Sequence, residues 1–156
     1  MSGPIADCPP CAPTVSPRLL ARSWRLVGWA CRYALGAFFL VAAVGKVTDL
    51  PGFRDYLTVH AGLAPGPAFA VAAFLPWLEL TCGLCLVSGR AAREAAVLTA
   101  VLLTAFVVHG LVHPVEADCG CVLWPAQLSP PPGRFWPLAR NLVLMACALR
   151  TAWRAG

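Results

Sequence analysis

The chemistry available to this chain starts with sulfur. The stretch Glu116-Ala-Asp-Cys-Gly-Cys-Val-Leu-Trp-Pro125 sets two cysteines one glycine apart, beside an acid. Two residues of extended backbone span at most about 7 Å. A turn at Gly120, which is free to take dihedrals closed to other residues, shortens that into the roughly 4.4 to 6.8 Å between Cα atoms that a disulfide bridges. So small a ring is strained, and strained, exposed disulfides are the oxidising, exchangeable ones. Cys119 and Cys121 are therefore candidates for thiol-disulfide exchange, with metal ligation and inert packing as the alternatives. The metal alternative draws on His109 and His113, which stand four residues apart and share a helix face. With Cys119 and Cys121 they make a two-nitrogen, two-sulfur set suited to zinc or copper.

The other cysteines of the eight fall into two groups. Cys8 and Cys11 form a CPPC in a Pro-rich tail, and Cys31, Cys82, Cys85 and Cys147 lie inside apolar runs. A free cysteine in an apolar run is by default a small packing unit; redox or metal chemistry is the second reading for these four. Cys82 and Cys85, three apart, share a helix face.

The elements that must carry these residues are set by composition. The 156 residues are 59% hydrophobic and only 12% charged, with a mean hydropathy of +0.71, whereas soluble domains sit nearer 45 to 50% apolar. A bilayer core about 30 Å thick is crossed by roughly 20 apolar residues in a helix. Four segments approach that: residues 26–45, 68–89, 95–114 and the shorter 136–153. Small residues such as Gly28, Gly36, Ala72 and Gly83 let such helices approach closely. The fold expected is all-α, an integral membrane four-helix bundle over residues 26–156, preceded by a cytoplasmic tail over 1–25. A cleavable secretory signal is the competing reading of the first segment. Arg32 interrupts that segment and no small-x-small site follows before Lys46, which argues against it. The net charge of +5 is carried by single Lys and Arg residues at the ends of apolar runs, with no basic stripe for a phosphate backbone, which excludes nucleic acid as a partner.

Four spans place both termini on one side. Arg18, Arg22, Arg25, Arg90, Arg93, Arg150 and Arg154 collect there, against Lys46, Arg54, Arg134 and Arg140 on the other. Seven against four puts both termini in the cytoplasm by the positive-inside rule. Cys119 and Cys121 then face outward from a multi-pass inner-membrane protein, on the side where disulfides persist.

Charges inside the spans need partners. Counting about 1.5 Å per residue from the outer boundary, Glu79 lies about 16 Å deep and Arg32 about 20 Å, so an Arg32-Glu79 pair is expected. Arg140 and Asn141 enter the last span near the outer face, where Arg140 can reach toward Cys119 and Cys121 and favour a thiolate.

The run Arg32-Tyr-Ala-Leu-Gly-Ala-Phe-Phe-Leu-Val-Ala-Ala-Val-Gly-Lys46, followed by Phe53, resembles the opening helix of the DoxX superfamily. Pro76 and Glu79, then Cys119-Gly120-Cys121 and Arg140-Asn141-Leu-Val-Leu, look like its MauE branch, the methylamine-utilisation membrane proteins. The resemblance covers about Arg32 to Leu149 and departs from the family where Val122 and Leu123 stand in place of a Phe-Gly. It implies a four-helix membrane protein tied to thiol redox chemistry, an exported thioredoxin-like partner and, by the wider superfamily, a quinone; no soluble cofactor is expected. By position it assigns Cys119 and Cys121 to the reactive pair, and Arg32, Lys46, Glu79, Arg140 and Asn141 to the polar and cofactor-holding set.

The function expected is thus a membrane thiol-disulfide redox protein. A non-catalytic accessory subunit of a larger membrane complex and a zinc or copper delivery protein are the alternatives. The topology is testable in intact cells: a membrane-impermeant maleimide is expected to label Cys119 and Cys121 after reduction. Labelling only after the membrane is permeabilised reverses the orientation.

Overall fold

The computed structural model describes residues 17–112 and 135–154. These form five helices and no strand: α1 Pro17–Thr48, α2 Leu50–Val59, α3 Pro65–Ser88, α4 Ala92–Val112 and α5 Phe135–Arg154. The all-α expectation holds for these residues. Cys8, Cys11, His113, Cys119 and Cys121 lie outside the described residues.

Local sequence explains each corner. α1 closes at Thr48, whose hydroxyl donates back to the carbonyls of Val44 and Gly45. The next residue, Asp49, caps α2 by accepting the Gly52 N–H at 3.0 Å, with a proline in the first turn, where a missing N–H costs nothing. After α2 the chain reverses at Gly62, at φ 65°. Ala64 is extended, as a residue before proline prefers, and Pro65 opens α3. α3 stops at Gly89, whose φ of 77° is the left-handed conformation that glycine takes at a helix C-terminus, and its N–H bonds to the Cys85 carbonyl at 2.9 Å. Only Arg90 and Ala91 then separate it from α4, so α3 and α4 fold back on one another.

α1 packs most extensively on α3 and α4 on α5, while α1 also touches α5 and α3 touches α4. Leu35 and Phe39 of α1, Leu86 of α3, Ala95, Ala96 and Leu103 of α4 and Ala148 of α5 make the main buried cluster. α2 is a separate lid: Phe53 and Leu57, four residues apart and so on one face, pack on Ala68 and Ala72 of α3.

Three helices, Arg22–Thr48, Pro65–Ser88 and Ala92–Val112, are long and apolar enough to cross a membrane. α5 has the length, but Pro137, Arg140, Asn141 and Arg150 leave it less apolar than the others. The distribution of side chains fits a lipid solvent, in which apolar groups need no burial. Large hydrophobics such as Phe74, Trp77, Leu84, Val101, Leu142 and Val143 point outward, while Lys46, Glu79, Thr99 and Asn141 are buried inside.

The α1-α3 register is fixed by two glycines. A Cβ built on Gly36 falls 2.8 Å from Val87 and 3.2 Å from the Gly83 carbonyl, and one on Gly83 falls 2.8 Å from Leu40 and 3.0 Å from the Gly36 carbonyl. Backbone meets backbone here, so neither helix can yield by rotating a side chain. Gly83→Val is expected to lower stability by about 1 to 3 kcal/mol through overpacking, read as a lower thermal midpoint in detergent. The same change at Gly66, where a Cβ meets nothing within 4 Å, is expected to leave the midpoint nearly unmoved.

Candidate functional site

The centre of the site is an ion pair. Lys46, near the end of α1, and Glu79, in the middle of α3, are 0% and 1% exposed, and the Lys46 Nζ reaches both carboxylate oxygens, Oε1 at 2.8 Å and Oε2 at 2.7 Å. Helical side chains lean toward the N-terminus of their own helix, so Lys46 leans back along α1 into the bundle, to the level of Glu79. The ring of Phe53 on α2 covers the ammonium, with its centroid 5.5 Å from Nζ. α2 therefore places an aromatic face over the charge, a favourable contact for a desolvated cation.

This corrects the expected Arg32-Glu79 pair. Arg32 lies toward the other end of the bundle, its guanidinium 4.6 Å from the Trp29 ring centroid, 4.9 Å from that of Tyr33, and near Gly89. The physical reason is register. With Gly36 against Gly83, a residue one turn before Gly36 faces the last turn of α3, about two turns beyond Glu79, or roughly 12 Å at 1.5 Å per residue. Depth counted from assumed span ends missed this, because α1 runs past the apolar segment at both ends.

On α5, Arg140 stacks over Phe38 of α1 at 5.4 Å, and Asn141 is 1% exposed with its Oδ1 buried and without a hydrogen-bond partner among the described residues. A buried amide oxygen in that state favours a donor from a ligand or another segment. Cys82, one turn after Glu79 and 3% exposed, is close enough to feel its charge; Cys85 packs against the main cluster. Cys31 and Cys147 are neighbours across α1 and α5. These four form no disulfide in the structure. His109 lines an apolar groove of about 760 Å³ between α4 and α5, with Val101, Thr104, Val108 and Met145. Among the described residues no three His, Cys, Asp or Glu side chains gather to hold a metal ion; three members of the His109, His113, Cys119, Cys121 set lie outside them.

The structure thus unites Lys46 with Glu79 and adds Phe53, sets Arg140 against α1, and separates Arg32 from the rest. The helix that delivers Phe53 was missed in the sequence, although Asp49-Leu-Pro-Gly-Phe53 carries a capping aspartate, a first-turn proline and then apolar residues four apart.

A helical membrane protein with a charged pair sealed among its spans is the class these features define. The chain belongs to the MauE family: the family described as methylamine utilisation protein MauE matches residues 24–154. It is 35% identical over 100 residues to the methylamine utilization protein MauE of Methylophilus methylotrophus, covering 58% of this chain and 51% of that protein. It is 33% identical over 132 residues to the MauE of Paracoccus denitrificans, covering 81% of this chain and 69% of that protein. The match thus spans about half the length of the first relative. No solved structure matches.

Removing one partner of a buried pair strands the other charge, at a cost of about 3 to 5 kcal/mol. Glu79→Gln and Lys46→Met are each expected to reduce the folded yield and thermal midpoint in detergent sharply. The double variant Lys46→Met/Glu79→Leu, which removes both charges, is expected to regain most of the loss. Single variants as stable as the parent contradict the pairing.

Proposed function

We propose that the chain is a multi-pass inner-membrane protein of four crossing helices, α1, α3, α4 and α5, with both termini cytoplasmic. Its activity is thiol-disulfide exchange at Cys119 and Cys121 with an exported thioredoxin-like protein. The observation that carries this reading is the buried Lys46-Glu79 pair in a MauE-family chain. Intramembrane ionisable residues are functional candidates by default, and Cys-Gly-Cys follows α4 in the connection to α5. Three helices meet the requirements for crossing. α5 packs along α4 and α1 and turns Asn141 inward, which suits a fourth crossing whose polar residues face the protein.

The exchange balances as follows. A thiolate of the partner's dithiol attacks the Cys119–Cys121 disulfide, a mixed disulfide forms, and the partner's second thiolate resolves it. The partner leaves oxidised, while Cys119 and Cys121 hold two electrons and two protons as a dithiol. Reoxidation requires a two-electron, two-proton acceptor of the quinone class. The groove between α4 and α5 has the volume and apolar lining for a substituted ring, with Thr104 and His109 as its polar groups. The unpartnered Asn141 Oδ1 nearer the outer face is a further polar contact point. A bound quinone would supply the electron sink; the residues of this chain hold it, exclude water and, at Lys46 and Glu79, keep a proton-bearing pair within the apolar interior.

The test is mass-tag trapping of thiols in growing cells. Cys119 and Cys121 are expected to appear in both oxidised and reduced forms, and Cys121→Ser to trap a mixed disulfide with an exported partner. A pair that stays fully reduced during oxidising growth overturns the reading.

A further inference from the structure

At the end of the bundle opposite Lys46, three helix ends meet around a cavity of about 390 Å³. Arg25 and Arg32 of α1 and Arg154 of α5 line it, with Trp29 as an aromatic wall and Ala92, the first residue of α4, at its edge. Among the described residues no carboxylate lies within ion-pair distance of any of these three arginines, the ion pairs present being Lys46-Glu79 and Arg54-Asp55. Three uncompensated guanidinium groups around one cavity repel each other, and their convergence makes sense when something anionic sits between them.

The backbone is shaped to admit them. A Cβ on Gly28 would fall 2.7 Å from an Arg154 guanidinium nitrogen, and one on Gly89 would fall 2.9 Å from an Arg32 guanidinium nitrogen. Arg154 is held by donating to the Trp24 carbonyl. Arg32 is stacked on Trp29 and Tyr33, and its Nε is buried without a hydrogen-bond partner among the described residues. The start of α4 adds N–H groups that have no acceptor within the helix and the positive end of a dipole equivalent to roughly half a charge. Planar guanidinium forks beside free backbone N–H groups suit the tetrahedral oxygens of a phosphate.

We propose that this cavity binds a phosphate group, in the form of a phospholipid headgroup or of a soluble phosphate compound. Trp29 at the cavity wall suits the headgroup level of a membrane, where amphipathic rings settle. The site stands on this geometry alone and does not depend on the thiol chemistry.

The full chain is reconstituted in nanodiscs of phosphatidylcholine with or without phosphatidylglycerol, and bound lipid is read by native mass spectrometry alongside the thermal midpoint. Retention of one phosphatidylglycerol per chain, with a higher midpoint than in phosphatidylcholine alone, supports a headgroup. A rise in midpoint on adding inorganic phosphate to phosphatidylcholine nanodiscs supports a soluble phosphate compound. Arg32→Gln/Arg154→Gln is expected to weaken either response by at least about tenfold in apparent affinity, one tenfold step being about 1.4 kcal/mol. Arg90→Gln/Arg93→Gln, at the same end of the bundle but not lining the cavity, is expected to keep it. Should the double cavity variant fail to fold, the parent alone still decides, because equal behaviour in all three conditions overturns the proposal. Equal loss in the Arg90/Arg93 variant also overturns it, since general basicity then explains the effect.

Discussion

A carboxylate and an ammonium 2.7 Å apart, sealed from solvent by three helices, constrain most of what surrounds them. Either charge alone in an apolar interior costs about 3 to 5 kcal/mol, so the packing of α1 on α3 favours the alignment that brings Lys46 and Glu79 together. The pair leaves little freedom in register: a slip of one helical turn moves Nζ about 5.4 Å along the axis and strands both groups. Phe53 follows from the same constraint. α2 is held by an aspartate cap at one end and by Leu57 on α3 at the other, and its aromatic ring lies 5.5 Å from the ammonium.

Charge alone would leave the helices loosely associated, because in lipid apolar side chains gain little by turning toward one another. The contact between Gly36 and Gly83 supplies the missing attraction as close backbone packing. The two devices agree, since the register at which the glycines meet is the one at which Lys46 leans back onto Glu79. An ion pair that is costly to misplace and a steric groove that accepts one alignment together specify a single arrangement, which neither would secure alone.

Much of this was legible in the residues. Apolar runs of about 20 residues announce α1, α3 and α4, and Gly89 followed by Arg90 announces the tight α3-α4 corner. Pairing was harder to read, because Glu79 has two cationic candidates on α1, Arg32 and Lys46, and depth counted from the edge of an apolar run carries an error of a turn or two. That error exceeds the reach of a side chain. The close approach of Gly36 and Gly83 would have resolved it: small residues at those positions say where two helices touch, and the charges then follow by counting turns from the contact. α2 escaped for another reason. Ten residues with a modest apolar face resemble a polar loop in composition, and only the Asp49 cap with Pro51 behind it marks the helix start.

The two ends of the bundle differ in kind. At one, Lys46 and Glu79 are buried and cancel each other's charge. At the other, Arg25, Arg32 and Arg154 converge without an ion-pair partner among the described residues. A membrane potential and an anionic leaflet act on these two ends in different ways: the neutral pair contributes almost nothing to the net force on the molecule, while the arginine end is drawn to anionic headgroups by about 1 kcal/mol per residue near the surface. That asymmetry gives the two ends of the bundle different attractions to an anionic surface. The same separation of a compensated interior pair from the arginine end explains why Arg32, on the same helix as Lys46, is not interchangeable with it: moving it to Glu79 would take one charge from the arginine cavity and bring a larger, planar cation into a space that Phe53 closes over an ammonium.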